Sequence, residues 1–199
     1  MRESLVKMGV PVNMVGSQRL GVFLDNDLEG YPGYRVSQSH DAAKKVVPKM
    51  QPNLFIIHVG TNNALKDIDV DKAGEHMEAF IDYLLETSNT STVVMSTLLT
   101  NMVPDTEPKI LQINEQYRAL LPKYDGKPVV LAEMHPSEGL PNRPQVEDIG
   151  PDLTHPYDAG YELMANIFIE SIKEADEKGF LQWPVNNGYP YDGDAGRTE

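Results

Sequence analysis

The chain has 199 residues, of which 40% are hydrophobic and 24% charged, with no cysteine and a formal net charge of −13. That length makes one domain, or one domain and a tail, with core enough to fold without staples. The acidity argues against a nucleic-acid partner, and the missing cysteine excludes disulfides, thiolate nucleophiles and cysteine zinc sites. No apolar run approaches the roughly 18 residues of a membrane span.

The opening, "MRESLVKMGVPV", reads as the end of an amphipathic helix entering a strand and has no signal-peptide core. Four strands are expected along the chain, at "VPVNMVGS" (10–17), "NLFIIHVG" (53–60), "STVVMSTLL" (91–99) and "KPVVLAEM" (127–134). Their unbroken apolar character suits strands covered on both faces, as in a parallel sheet. Between them, residues 69–88 put Ala73, Met77, Phe80, Ile81, Leu84 and Leu85 on one helical face. Residues 108–121 do the same with Ile110, Ile113, Tyr117, Leu120 and Leu121. A last helix is expected from about Asp158 to Lys178, carrying Met164, Ile167, Phe168, Ile172 and Ala175. Strand–helix alternation of this kind means a three-layer α/β/α sandwich with a parallel sheet. The domain is expected over 1–180. Residues 181–199, rich in Gly, Pro, Asn and Asp, read as an extended tail or linker.

In an open parallel sheet, ligands bind beyond the carboxyl ends of the strands, so the chemistry is sought in the loops there. In "EGYPGYR", Gly33 either completes a Pro-Gly bend or exposes its N–H to an anion. In "HVGTNNA", Gly60 turns the chain, and Asn62 either suits that turn or points an amide donor into the crevice. In "GPDLTHPYDAGY", Asp152 stands three residues before His155. The pair fits a histidine base with its orienting carboxylate, a helix cap, or half of a metal site. His40, His58, His76 and His135 are scattered singly, which disfavours metal; His58 reads as a strand residue satisfied by a neighbour and His76 as a helix-surface residue.

These blocks occur in the order Gly, Asn, then Asp-x-x-His, and in that order they resemble the SGNH hydrolases, the GDSL lipase and esterase superfamily. The resemblance spans roughly residues 1 to 180. It runs closest to fungal and bacterial members of the kind found in carbohydrate esterase family three, which includes acetylxylan esterases. "LFIIHVGTNNA", "VVMSTLLTN", "INEQYRALL" and "HPYDAGYELMA" also read like that subgroup. The resemblance implies a flavodoxin-like parallel sheet and ester hydrolysis of a small-molecule or polysaccharide ester, with no cofactor or metal, no nucleic acid and no membrane. It also implies an extracellular setting. By the same resemblance, Gly33 and Asn62 are oxyanion donors, His155 the general base and Asp152 its orienting acid.

Three departures accompany it. Asn63 stands where the family usually has aspartate, which puts a loop hydrogen bond in doubt. Leu153 often has a glycine counterpart. The family's nucleophile follows its first strand in a Gly-Asp-Ser segment, whereas "RESLVKMGVPVNMVGS" resembles the helix and strand that come after it. Ser4, Ser17, Ser37 and Ser39 lack the required context, and "GDAG" in the tail carries Ala195 in the serine's place. No nucleophile is therefore assigned. The expectation is an SGNH fold lacking the family's first strand, by truncation rather than evolved loss. The alternative is a non-catalytic member that binds carbohydrate or protein, with "DNDLEGYPGYR" as the contact loop. A nucleotide binder is disfavoured by the absence of any Gly-rich phosphate loop.

Overall fold

A computed structural model describes residues 1–22 and 25–188. In chain order the elements are α1 (Arg2–Lys7), β1 (Gln18–Arg19), β2 (Asp27–Leu28), α2 (Val36–Met50), β3 (Leu54–Ile57) and α3 (Thr61–Lys66). They continue with α4 (Ala73–Thr87), β4 (Thr92–Ser96), α5 (Glu107–Arg118), β5 (Val129–Ala132) and α6 (Asp158–Glu177).

β3, β4 and β5 form a parallel sheet in that order, with Leu54 opposite Thr92 and Val93 opposite Val129. All five residues of β4 are buried, as expected of a strand paired on both sides and covered on both faces; its centre, Val93–Met95, is apolar, and the hydroxyls of Thr92 and Ser96 at its ends donate to the Phe180 and Ile57 carbonyls. One layer packs α2, α4 and α5 onto the sheet through Val47, Met77, Ile81, Leu84, Ile113 and Tyr117. The other packs α1 and α6 onto it through Leu5, Met164, Ile167, Phe168 and Ile172. The alternating residues of each strand divide between the two: Val93 and Met95 face the first cluster, Val94 the second. The result is a three-layer α/β/α sandwich. Helix 69–88 begins later than its pattern suggests, because Val70–Lys72 forms a single tight 3₁₀ turn before α4.

The segment 10–17 is not a strand. It runs irregularly and ends on a two-residue antiparallel hairpin, β1 with β2, that the sequence did not signal. A strand needs a neighbour for its backbone groups, and here the Met14 amide is taken instead by the Asp25 carboxylate, 3.0 Å away. Asp25 is buried and also accepts from the Arg2 guanidinium at 2.6 Å, so a single carboxylate ties α1, the irregular segment and the hairpin together. β3 is consequently left as an edge, paired with β4 alone among the described residues.

After α6 the chain runs extended to Gly188 along the amino-terminal end of the sheet. Asn53 donates to the Gln182 carbonyl there, and Asn187 to the Met50 carbonyl. The rest of the tail, including Ala195, lies outside the described residues.

Candidate active site

The loop before α6 is closed by two backbone bonds, Gly150 N–H to His155 O at 2.7 Å and Tyr157 N–H to Asp148 O at 2.8 Å. Within it, Asp152 braces the turn with one oxygen and meets the His155 ring with the other. Its Oδ1 accepts from the Thr154 and His155 amides at 3.0 and 2.9 Å, and its Oδ2 lies 2.6 Å from His155 Nδ1. Asp152 is not the cap of a helix, since α6 begins at Asp158 behind Tyr157 with no side-chain cap; its carboxylate instead braces the turn and holds the histidine ring. The backbone N–H of His155, then its ring, then the Thr154 N–H hold the Asp152 carboxyl down at about 2, so it is ionised across the physiological range. An ionised acceptor on Nδ1 fixes the proton there by hydrogen bonding and leaves Nε2 bare, as a general base requires.

Leu153 takes a left-handed backbone, φ +66°, which favours glycine over a residue with a Cβ. Its carbonyl accepts from the Met102 amide at 2.8 Å, and Thr154 Oγ1 accepts from Asn101 Nδ2 at 3.2 Å. The loop after β4 thus clamps the Asp152–His155 loop. Asn101 is itself fixed through its amide to Glu107, which also binds buried His135 at 3.0 Å. No local pattern reports this clamp, because its members lie up to 53 residues apart.

Gly33 occupies the bend Tyr31–Tyr34 with φ +80°, and its carbonyl accepts from Lys66 Nζ at 2.6 Å. Asn62 lies in the first turn of α3, just after Gly60 at φ +130°, where an added Cβ would meet the Tyr117 hydroxyl at 2.6 Å. That hydroxyl donates to the Val59 carbonyl, so α5 sets the turn. Asn63 is fully buried between the two loops. Its Oδ1 accepts from the Val36 amide at 3.1 Å and its Nδ2 donates to the Ile68 carbonyl at 2.9 Å. The loop bond that aspartate would make is kept, and the amide adds a second. Asn63→Ala is expected to cost about 2–3 kcal/mol, since two buried backbone groups lose their partners. Urea unfolding of the variant against the parent measures it.

Gly33, Asn62 and His155 all border one trench of about 640 Å³, which Asp152 supports from behind His155. Every residue from Phe55 to Gly60 also borders it. Consecutive strand residues point to opposite faces, so the trench lies along the open edge of β3 rather than over either face. Its walls are largely apolar and belong to both layers, Val47, Phe80 and Leu84 from one and Leu99 and Met164 from the other. His58 stands at the carboxyl end of β3, bonded through Nδ1 to Ser96 Oγ at 2.7 Å and exposed to the trench. Desolvation by the protein around it pushes its pKa down. Water in an open trench opposes that push, and a filled trench restores it.

No serine hydroxyl among the described residues bonds to His155. Ser4 lies on α1, and Ser37 and Ser39 on α2; Ser17 bonds Glu29 Oε2 at 3.2 Å. Nor is any group of three histidine, aspartate or glutamate side chains among the described residues placed to hold a metal ion. Tyr31 and Tyr34 stack at 4.8 Å between centroids and border the trench beside Gly33.

Comparison with known proteins matches residues 15–163 to the model of a GDSL-like lipase/acylhydrolase family. No match was found among curated proteins. Among solved structures, a carbohydrate esterase family 3 protein from Talaromyces cellulolyticus is similar at 16% identity, with 88% of each chain covered and a TM-score of 0.76. A family 3 carbohydrate esterase of Clostridium thermocellum shares 21% identity over 88% of this chain and 85% of its own, with a TM-score of 0.73. An acetyl esterase mutant solved with an acetate ion gives 16% identity, 88% coverage of both chains and a TM-score of 0.76. At such identities the likeness speaks for the fold.

Proposed function

The chain belongs to the GDSL-like lipase/acylhydrolase family, and from that premise we propose that it is the body of a serine esterase acting on acetyl esters of carbohydrates, whose nucleophile arrives on a strand seated in the trench. The observation that carries this reading is the Asp152–His155 pair, ionised carboxylate to Nδ1 at 2.6 Å, at the rim of a trench that follows a sheet edge unpaired among the described residues. An apolar strand there would meet the N–H and C=O groups of β3 and complete both core clusters. A serine at its carboxyl end would then stand among His155, Gly33 and Asn62.

In that arrangement His155 Nε2 takes the serine proton as the hydroxyl attacks the ester carbonyl. Gly33 N–H and the Asn62 amide hold the oxyanion, and Asp152 steadies the imidazolium that forms. His155 returns the proton to the leaving alcohol and then removes one from the water that releases acetate. Nothing in these steps calls for a cofactor.

The test is an extension of the 199-residue chain by an apolar strand, Gly-Asp-Ser and a short connector into α1. Turnover of a chromogenic acetate and of acetylated xylan is expected to appear in the extended protein and to be negligible in the parent. An extended, folded protein with no activity on either would sink the reading. A second reading, carbohydrate binding without catalysis, draws on the stacked Tyr31–Tyr34 pair bordering the trench. Glycan binding by the parent, with an inert extended protein, would favour it.

A further inference from the structure

We propose that His58 positions the strand the trench receives, by accepting through Nε2 a hydrogen bond from a donor at that strand's carboxyl end. This rests on the reading of the trench as a strand site and adds to it a residue that selects which strand fits.

The assignment comes from counting protons at Ser96. Its hydroxyl is fully buried, 3.1 Å from the Ile57 carbonyl and 2.7 Å from His58 Nδ1. The carbonyl can only accept, so both bonds form only when the hydroxyl donates to it and Nδ1–H donates to the hydroxyl. The imidazole is then protonated on Nδ1, and Nε2 is a bare acceptor with no partner among the described residues. The ring sits one residue past the end of β3 and is exposed to the trench.

While the trench holds water, that acceptor is satisfied. Once a strand displaces the water, the acceptor is met by a donor on the strand or left unmet against apolar walls, which disfavours a strand without one. β3 to β5 are all parallel, and a fourth strand in the same sense brings its carboxyl end to His58. An acyl chain fits the apolar walls but offers nothing to the β3 edge or to His58. An extended peptide satisfies both.

Two probes test this on the full chain. One is a seven-residue peptide of four β-branched residues followed by Gly-Asp-Ser. The other is its analogue ending in sarcosine and two N-methylalanines, which has no donor at that end. Nitrogen-15 NMR of the free protein is expected to show His58 as the Nδ1-protonated tautomer. The first peptide is expected to protect β3 amides and move the His58 Nε2 resonance, and to bind at least tenfold tighter than the analogue. His58→Leu should abolish that preference, and His58→Gln, which keeps an acceptor, should retain part of it. An Nε2-protonated ring in the free protein would overturn the proposal without recourse to any variant. A preference undiminished in His58→Leu, with β3 amides still protected, would overturn it too while leaving the strand site standing. Absence of β3 protection by the first peptide would bring down the strand site and the role of His58 with it.

Discussion

In a chain supplied with the strand and its serine, His155→Ala is expected to lower kcat on acetyl esters by about 10⁶-fold, equivalent to ~8 kcal/mol of transition-state stabilisation. The loss is that large because nucleophile, base and orienting acid act as one unit, and removing any part strands the others. Asp152→Asn should cost less, about 10⁴-fold, and by a different route. Asparagine keeps an oxygen for the Thr154 and His155 amides, so the loop survives. It then turns an NH₂ group toward His155 Nδ1, which drives the ring proton onto Nε2 and removes the base. Steady-state kinetics of the two extended variants separates these effects. Equal losses accompanied by a disordered loop would mean that Asp152 serves only to brace the loop.

Asp25→Ala is expected to destabilise the fold by about 3–4 kcal/mol, the usual consequence of taking one partner from a buried ion pair. The Arg2 guanidinium would lose its carboxylate at 2.6 Å, and the Met14 amide would lose its acceptor. Asp25 also sits at φ +58°, which aspartate tolerates better than alanine does. The effect should concentrate at the hairpin side of the trench. Hydrogen exchange is expected to speed most in residues 12–22 and least in β4. Guanidinium unfolding gives the total, and a shift below 1 kcal/mol would show that the Arg2–Asp25–Met14 junction carries little of the fold.

Much of the architecture was legible because it follows from local pattern. β3, β5 and the centre of β4 are apolar, and the helices now labelled α4, α5 and α6 repeat their buried residues at helical spacing, so each declares its own surroundings. The segment 10–17 carries the same apolar signal and is not a strand, because pairing depends on a neighbour that no local pattern reports. Asp152 and His155 were legible as a pair since three residues separate them. The Ser96 contact that fixes the His58 tautomer spans 38 residues, and Asn101 reaches Thr154 across 53, so neither left a mark in the sequence. Two of the three departures from the family pattern, at Asn63 and Leu153, were visible, but their outcomes were not. Asn63 keeps the loop bond through its amide oxygen, and Leu153 accepts the left-handed backbone that glycine would adopt freely. His76 also differs from the exposed helix residue its pattern suggests, being half-buried with an unpartnered Nδ1.

The most direct measurement is labelling by a serine-directed phosphonate, with the adduct located by mass spectrometry, on the 199-residue chain and on its extended form. The extended protein is expected to label at the added serine and to lose that labelling with His155→Ala. The 199-residue chain is expected to show neither a label nor turnover of a chromogenic acetate. Robust hydrolysis by the 199-residue chain with the adduct on Ser17, Ser37 or Ser39 would contradict the strand-borne nucleophile. Histidine-dependent hydrolysis by that chain with no adduct at all would show that His155 activates water directly.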